Sequence, residues 1–170
     1  MSFLNHVITT IVPLILSNGL HMVVVKKNLF SVLNKPIWEW GFGLNKSWRG
    51  FVIVPLLNAI FLFCFQVGFE KSPSETLFLG AFLGMCYMLA ELPNSFIKRR
   101  IGIASGSSMQ SRKWVFVIFD KTDSALGVTL GYSMLQSISF FMGLELFLCS
   151  VAAHVFISII LVKLHLKSSF

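Results

Sequence analysis

Five apolar runs, each close to the length needed to cross a bilayer, leave this chain few folds to choose from. They cover roughly residues 6–25, 51–69, 76–92, 114–134 and 140–162. A helix needs roughly 20 predominantly apolar residues to span the hydrocarbon core. The composition agrees, since 55% of the residues are hydrophobic and only 12% are charged. A water-exposed domain of this size carries about a quarter charged residues, so a soluble globule is excluded. The sequence predicts an all-α, polytopic membrane protein of about five transmembrane helices, with residues 1–170 as a single transmembrane domain. The N-terminus has no basic n-region and no small-residue cleavage site follows its apolar run, so the first run reads as a retained helix and not a signal peptide.

Charge alternates between the connections. Lys26, Lys27, Lys35, Lys46 and Arg49 separate the first two runs, and Lys98, Arg99, Arg100, Arg112 and Lys113 separate the third from the fourth. Lys163 and Lys167 follow the fifth. The opposite side has only Lys71, beside Glu70 and Glu75. Basic loops stay on the cytoplasmic side, so the N-terminus is expected outside and the C-terminus inside a multi-pass cell-membrane protein. In a soluble protein the net charge of +7 would suggest nucleic acid. Here it fits loops facing anionic membrane lipids and phosphate-bearing substrates, and no nucleic-acid partner is expected. The two inner loops, residues 26–50 and 93–113, are long, and function concentrates in such segments.

Asp120 and Asp123 are the only aspartates. Their i, i+3 spacing puts both carboxylates on one helical face, roughly two turns inside the fourth run. Burying two like charges there is costly without compensating cations, and Mg2+, which takes carboxylate oxygens, would compensate. Pairing with Lys121 or with a basic residue of another helix, or a place in an ion pathway, would also account for them. Glu91 ends the third run and could be a further metal ligand, an arginine partner or a water-facing interfacial residue. Lys98, Arg99 and Arg100 form a dense cationic cluster suited to phosphate, or to anchoring at the inner interface. The small-residue stretch from Gly102 to Ser108 could form a nest of backbone N–H groups for phosphate. Lys46, Ser47 and Arg49 open the second run, where a helix N-terminus favours anions. Asn18-Gly19 places a polar interruption in the first run, as found beside cavities, and helix packing alone accounts for it equally well. Gly80-x-x-x-Gly84 and Gly127-x-x-x-Gly131 suit close helix packing. Cys64, Cys86 and Cys149 lie apart in apolar runs and read as buried packing residues. The four histidines share no metal-ligand spacing.

Four of these segments, in order, resemble one family. Glu91-Leu-Pro-Asn-Ser-Phe-Ile-Lys-Arg-Arg-Ile-Gly-Ile103 is similar to the signature of the CDP-archaeol synthases, relatives of the CDP-diacylglycerol synthases. Asp120-Lys-Thr-Asp-Ser-Ala-Leu-Gly127 resembles that family's paired aspartates and following glycine. Gly43-Leu-Asn-Lys-Ser-Trp-Arg-Gly50 resembles its Lys-Thr-Trp-Arg-Gly segment, and Asn18-Gly19 an Asn-Gly in its first helix. Three departures stand out: Leu44-Asn45 replaces Asp-Gly, Glu91 replaces an Asp, and Asn94-Ser95 replaces Lys-Ser. They resemble a bacterial branch of the family.

The resemblance implies five transmembrane helices around a cytoplasm-facing polar cavity. It also implies transfer of CMP from CTP to a lipid phosphate with Mg2+, giving a CDP-lipid and pyrophosphate. Asp120 and Asp123, with Glu91, would hold the metal. Lys98, Arg99 and Arg100 would hold triphosphate or lipid phosphate, Lys98 acting with the aspartates in catalysis. Lys46 and Arg49 would neutralise the remaining phosphate, and Ser95 and Asn18 would orient substrates. The competing readings are a non-catalytic lipid-binding homologue and a small membrane transporter using Asp120, Lys121 and Asp123 as a relay. A phosphatidyltransferase is excluded, because it needs more aspartates than two. The sequence specifies neither the acceptor lipid, nor CTP over dCTP, nor an oligomeric state.

Overall fold

The computed structural model describes residues 2–65, 71–103 and 113–164, without the side chains of residues 113–118 and 121. The expected basic residues Arg112 and Lys167, the small-residue stretch after Ile103, and the Lys121 side chain lie outside that description.

Among the described residues the chain is all-helical. In order, α1 is Phe3–Thr10, α2 Val12–Lys26, α3 Glu39–Phe42, α4 Trp48–Cys64, α5 Pro73–Arg100, α6 Lys113–Gln136 and α7 Phe140–Lys163. A 3-10 turn, Ser31–Leu33, lies between α2 and α3. Pro13 lacks the N–H that would continue the helical ladder, and α1 and α2 meet at Ile11 as one 24-residue apolar run. That run, α5 and α7 are each long and apolar enough to cross a membrane. α4 is apolar but has 17 residues. α6 has 24 residues and carries Asp120, Lys121 and Asp123 in its first half.

Local sequence sets the helix starts. Ser72 accepts from Glu75 N–H at 3.3 Å while the Glu75 carboxylate accepts from Ser72 N–H at 2.9 Å, a reciprocal cap that begins α5 at Pro73. Ser139 caps α7 in the simpler form, accepting from Met142 N–H at 3.3 Å. The far end of α5 corrects the sequence expectation. The third apolar run was expected to stop at residue 92 and give way to a loop at Pro93, yet the helix continues through Pro93 to Arg100. Lys98, Arg99 and Arg100 then occupy its last turn, where cations complement the helix dipole.

α4, α5 and α6 pack side by side, with α2 against α4 and α7 against α6. Glycine permits the close approach. A Cβ on Gly84 would lie 2.6 Å from Pro55 Cα, and one on Gly80 2.6 Å from Ala59 Cα. The fully buried Asn58 donates to the Gly80 carbonyl at 2.6 Å, tying α4 to α5. Gly127 and Gly131 press against Ala90 and Cys86 in the same way. Outward faces are apolar: Leu56, Phe78, Leu89, Phe141, Leu148 and Phe156 are all exposed. Such a surface suits lipid as solvent. Of the cysteines expected to be buried, Cys86 is half-buried but Cys64 and Cys149 are exposed. An apolar bilayer accepts them on the outside.

Candidate functional site

Charged side chains gather at one end of the bundle, where α2 and α5 finish and α4 and α6 begin. α5 supplies the central stripe. Tyr87, Glu91, Asn94 and Lys98 follow one another by four, three and four residues, so they share a helical face.

Asn94 joins that face to α6. Its Nδ2 donates to Asp120 Oδ1 at 2.5 Å and to Asp123 Oδ2 at 3.0 Å. Both carboxylates therefore converge on one nitrogen. Lys98 forms an ion pair with Asp120, whose side chain is 45% exposed. The other oxygen of Asp123 accepts from the Ser124 N–H at 2.6 Å and from its hydroxyl at 3.2 Å.

A second branch lies nearer the bundle interior. Lys46 forms an ion pair with Glu91. The backbone holds Lys46 in place, because the chain doubles back before α4. Ile37 N–H donates to the Lys46 carbonyl at 2.9 Å, and Trp48 N–H to the Lys35 carbonyl at 3.0 Å. Gly43 makes the return possible with φ +83°, a conformation costly for any residue with a Cβ. Tyr87 stands beside Glu91 and Ser124, between this branch and the aspartate branch. His154 of α7 stacks at a tilt beside Tyr87, 6.0 Å between ring centroids. Arg49 is 4% exposed and donates to Asn28 Oδ1 at 3.3 Å and to the Leu29 carbonyl at 3.2 Å.

The geometry sorts the residues singled out by sequence. Asp120, Asp123 and Lys98 come together, and Lys46 meets Glu91. Expected as a third metal ligand, Glu91 gives its carboxylate to Lys46. No cluster of three or more metal-ligating His, Cys, Asp or Glu occurs among the described residues. Arg99 folds back onto the Ile103 carbonyl of its own helix end. Arg100 lies over the Trp40 and Phe96 rings, at 4.8 and 5.0 Å. Ser95 donates to the Glu91 carbonyl at 2.9 Å, an internal helix contact. Asn18 lines a small cavity of about 40 Å³ between α2, α6 and α7 with Tyr87, Ser124 and His154.

The donor set fits a hard divalent cation in kind. Two carboxylates and one amide offer only oxygen ligands once the Asn94 amide turns its carbonyl toward the aspartates. Amide orientation is set by the surrounding hydrogen bonds, and both acceptors here are carboxylate oxygens, so the N–H₂ side faces them.

The sequence model of the CarS-like CDP-archaeol synthases matches residues 42–170. The chain belongs to that family. It is also 32% identical over 125 residues to the CDP-archaeol synthase of Staphylothermus marinus. That match covers 74% of this chain and 62% of the relative, so the chain spans less than two thirds of its curated relative's length. No solved structure matches it. Both aspartates, Lys98, Glu91, Lys46 and Arg49 lie inside the family-matched stretch, whereas Asn18 lies before it.

Sequence reasoning missed Asn94 and Tyr87 as site residues. The signal was present in the four-three-four spacing along α5. It is hidden if Pro93 is taken to end the helix.

Proposed function

We propose that this chain transfers CMP from CTP to a lipid phosphate in the cell membrane, yielding a CDP-lipid and pyrophosphate. Family membership supports the reaction class. The observation that carries it is the charge balance of the site. Lys46 pairs with Glu91 and Lys98 with Asp120, so two of the three carboxylates are matched by lysines with no ligand present. A triphosphate brings several negative charges. It can enter only if the lysines turn toward phosphate and the carboxylates find another cation.

In this mechanism an oxygen of the lipid phosphate attacks the α-phosphorus of CTP, and the bond from that phosphorus to the bridging oxygen breaks. Pyrophosphate leaves with the electron pair. Lys98 swings from Asp120 to the nucleotide phosphates, and Lys46 turns from Glu91 toward phosphate. No covalent intermediate on the enzyme is needed, since alignment and charge stabilisation carry phosphoryl-type transfers. Asp120 and Asp123, with the Asn94 carbonyl, would hold Mg2+, which when bound supplies neutralisation of the triphosphate. The same reading carries five membrane crossings in one domain, an outside N-terminus, and a site open to the cytoplasm where CTP resides.

The test is direct. Purified protein with Mg2+, labelled CTP and a panel of diacyl, dialkyl-ether and polyprenyl phosphates should form one labelled CDP-lipid. No transfer to any acceptor, with an active family member assayed alongside, would overturn the proposal.

A further inference from the structure

Two buried nitrogen atoms near the start of α4 have no hydrogen-bond partner: His21 Nε2 and Arg49 Nε. Buried polar atoms are nearly always paired, so an orphan calls for an explanation. The two belong to one neighbourhood, since His21 feels the charges of Glu91, Arg49 and Lys46. A Cβ on Gly50, next to Arg49, would sit 3.5 Å from His21 Cε1 and 3.6 Å from Nε2, so the ring edge faces the first turn of α4. Ser47 at the N-cap is buried, and its hydroxyl makes no capping bond.

We propose that His21 Nε2 and Arg49 Nε, at the first turn of α4 beside Lys46, form the pocket for the acceptor lipid's phosphate. With its proton on Nε2, His21 is a donor. Depth separates this pocket from the nucleotide branch. Glu91, which marks it on α5, precedes Lys98 by seven residues, about 10 Å along a helix. His21 lies five residues before the end of α2, about 7.5 Å. The deeper pocket borders hydrocarbon, where a lipid phosphate with attached chains can sit. The shallower one, at Lys98 and the exposed Asp120, meets water, from which CTP arrives. His21 lies before the family-matched residues 42–170, so the match itself does not assign it. The assignment rests on the proposed cytidylyltransfer for its substrate class.

Three measurements test it together. His21→Phe should raise the KM for lipid phosphate roughly 10- to 100-fold, the effect of one charge-assisted hydrogen bond, with the KM for CTP nearly unchanged. His21→Gln, which offers an N–H near the same position, should recover much of the loss. In protein labelled with 15N-histidine, dihexanoylglycerol phosphate added without CTP should shift the His21 ring signals, identified by their absence in His21→Gln. A rise in the KM for CTP instead would give the pocket to the nucleotide and overturn the acceptor assignment. Unchanged KM values for both substrates would overturn it as well. If the wild-type protein transfers to no acceptor, the cytidylyltransfer reading fails, and the titration alone decides the pocket. A His21 shift with dihexanoylglycerol phosphate supports it, and an unmoved signal overturns it.

Discussion

The two halves of α5 are held in opposite ways. From Pro73 to Tyr87 the helix is fixed by contact: Gly80 and Gly84 bring it against α4, and Asn58 ties the backbones together. From Glu91 to Arg100 ion pairs and hydrogen bonds to Lys46, Asp120 and Asp123 are added to the ring contacts of Phe96 with Trp38 and Phe42. Contact between backbones offers no substitute partner, so the first half is a permanent scaffold. Ion pairs can be exchanged for other ions, so under the proposed function the second half would trade its partners for substrate. One helix thus serves both stability and chemistry, and the two should be separable by mutation.

The strongest break should come at Asp123. Asp123→Asn keeps the shape and the contact to Ser124 but removes a charge, and turnover should fall at least ~100-fold, as when a group that stabilises developing charge is lost. Thermal unfolding in detergent should barely move, and a large drop in midpoint would put Asp123 with the scaffold. Lys46→Met should raise a substrate KM about 10- to 100-fold. It should also destabilise the protein by leaving Glu91 partly buried and unpaired. Adding Glu91→Gln should restore the unfolding midpoint but not the KM, which separates the two roles of the pair.

The scaffold half should show the reverse pattern. Gly84→Val forces a side chain against the Pro55 backbone and should cost about 2 kcal/mol, in the range for overpacked interiors. It should lower the unfolding midpoint, while the activity of the molecules that remain folded stays close to normal. Asn58→Leu should have the smallest effect, about 1 kcal/mol, as found for hydrogen bonds between membrane helices. A loss of turnover larger than the loss of folded protein in either variant would blur the division.

The sequence made the scaffold legible because apolar runs and small-residue spacing are local patterns. Gly80 and Gly84 were expected to permit packing, and they do. The site was legible in its residue types and only partly in its partners. Asp120 and Asp123 share a face by spacing alone, but nothing local says that Asn94 bridges them. That contact depends on α5 continuing past Pro93, where the usual rule for proline points to an end. The helix survives there because neighbouring helices hold it and its last turn carries three cations. Arg99 and Arg100 show the opposite limit. Their composition suggested phosphate, but the helical turn sends one to Ile103 and the other onto Trp40 and Phe96. His21 left no trace, because an unmatched nitrogen becomes visible only once its surroundings are known.

Pro93 also has a mechanical consequence. It offers no N–H to the Leu89 carbonyl four residues earlier, so the rod lacks the rung from Leu89 to Pro93, which brackets Glu91. Bending is easiest there, at the joint between the two branches. A small tilt of the last two turns would carry Asn94 and Lys98 relative to Glu91 while the glycine-clamped portion stayed still. The distance between the two bound reactants would then depend on the angle of a single hinge.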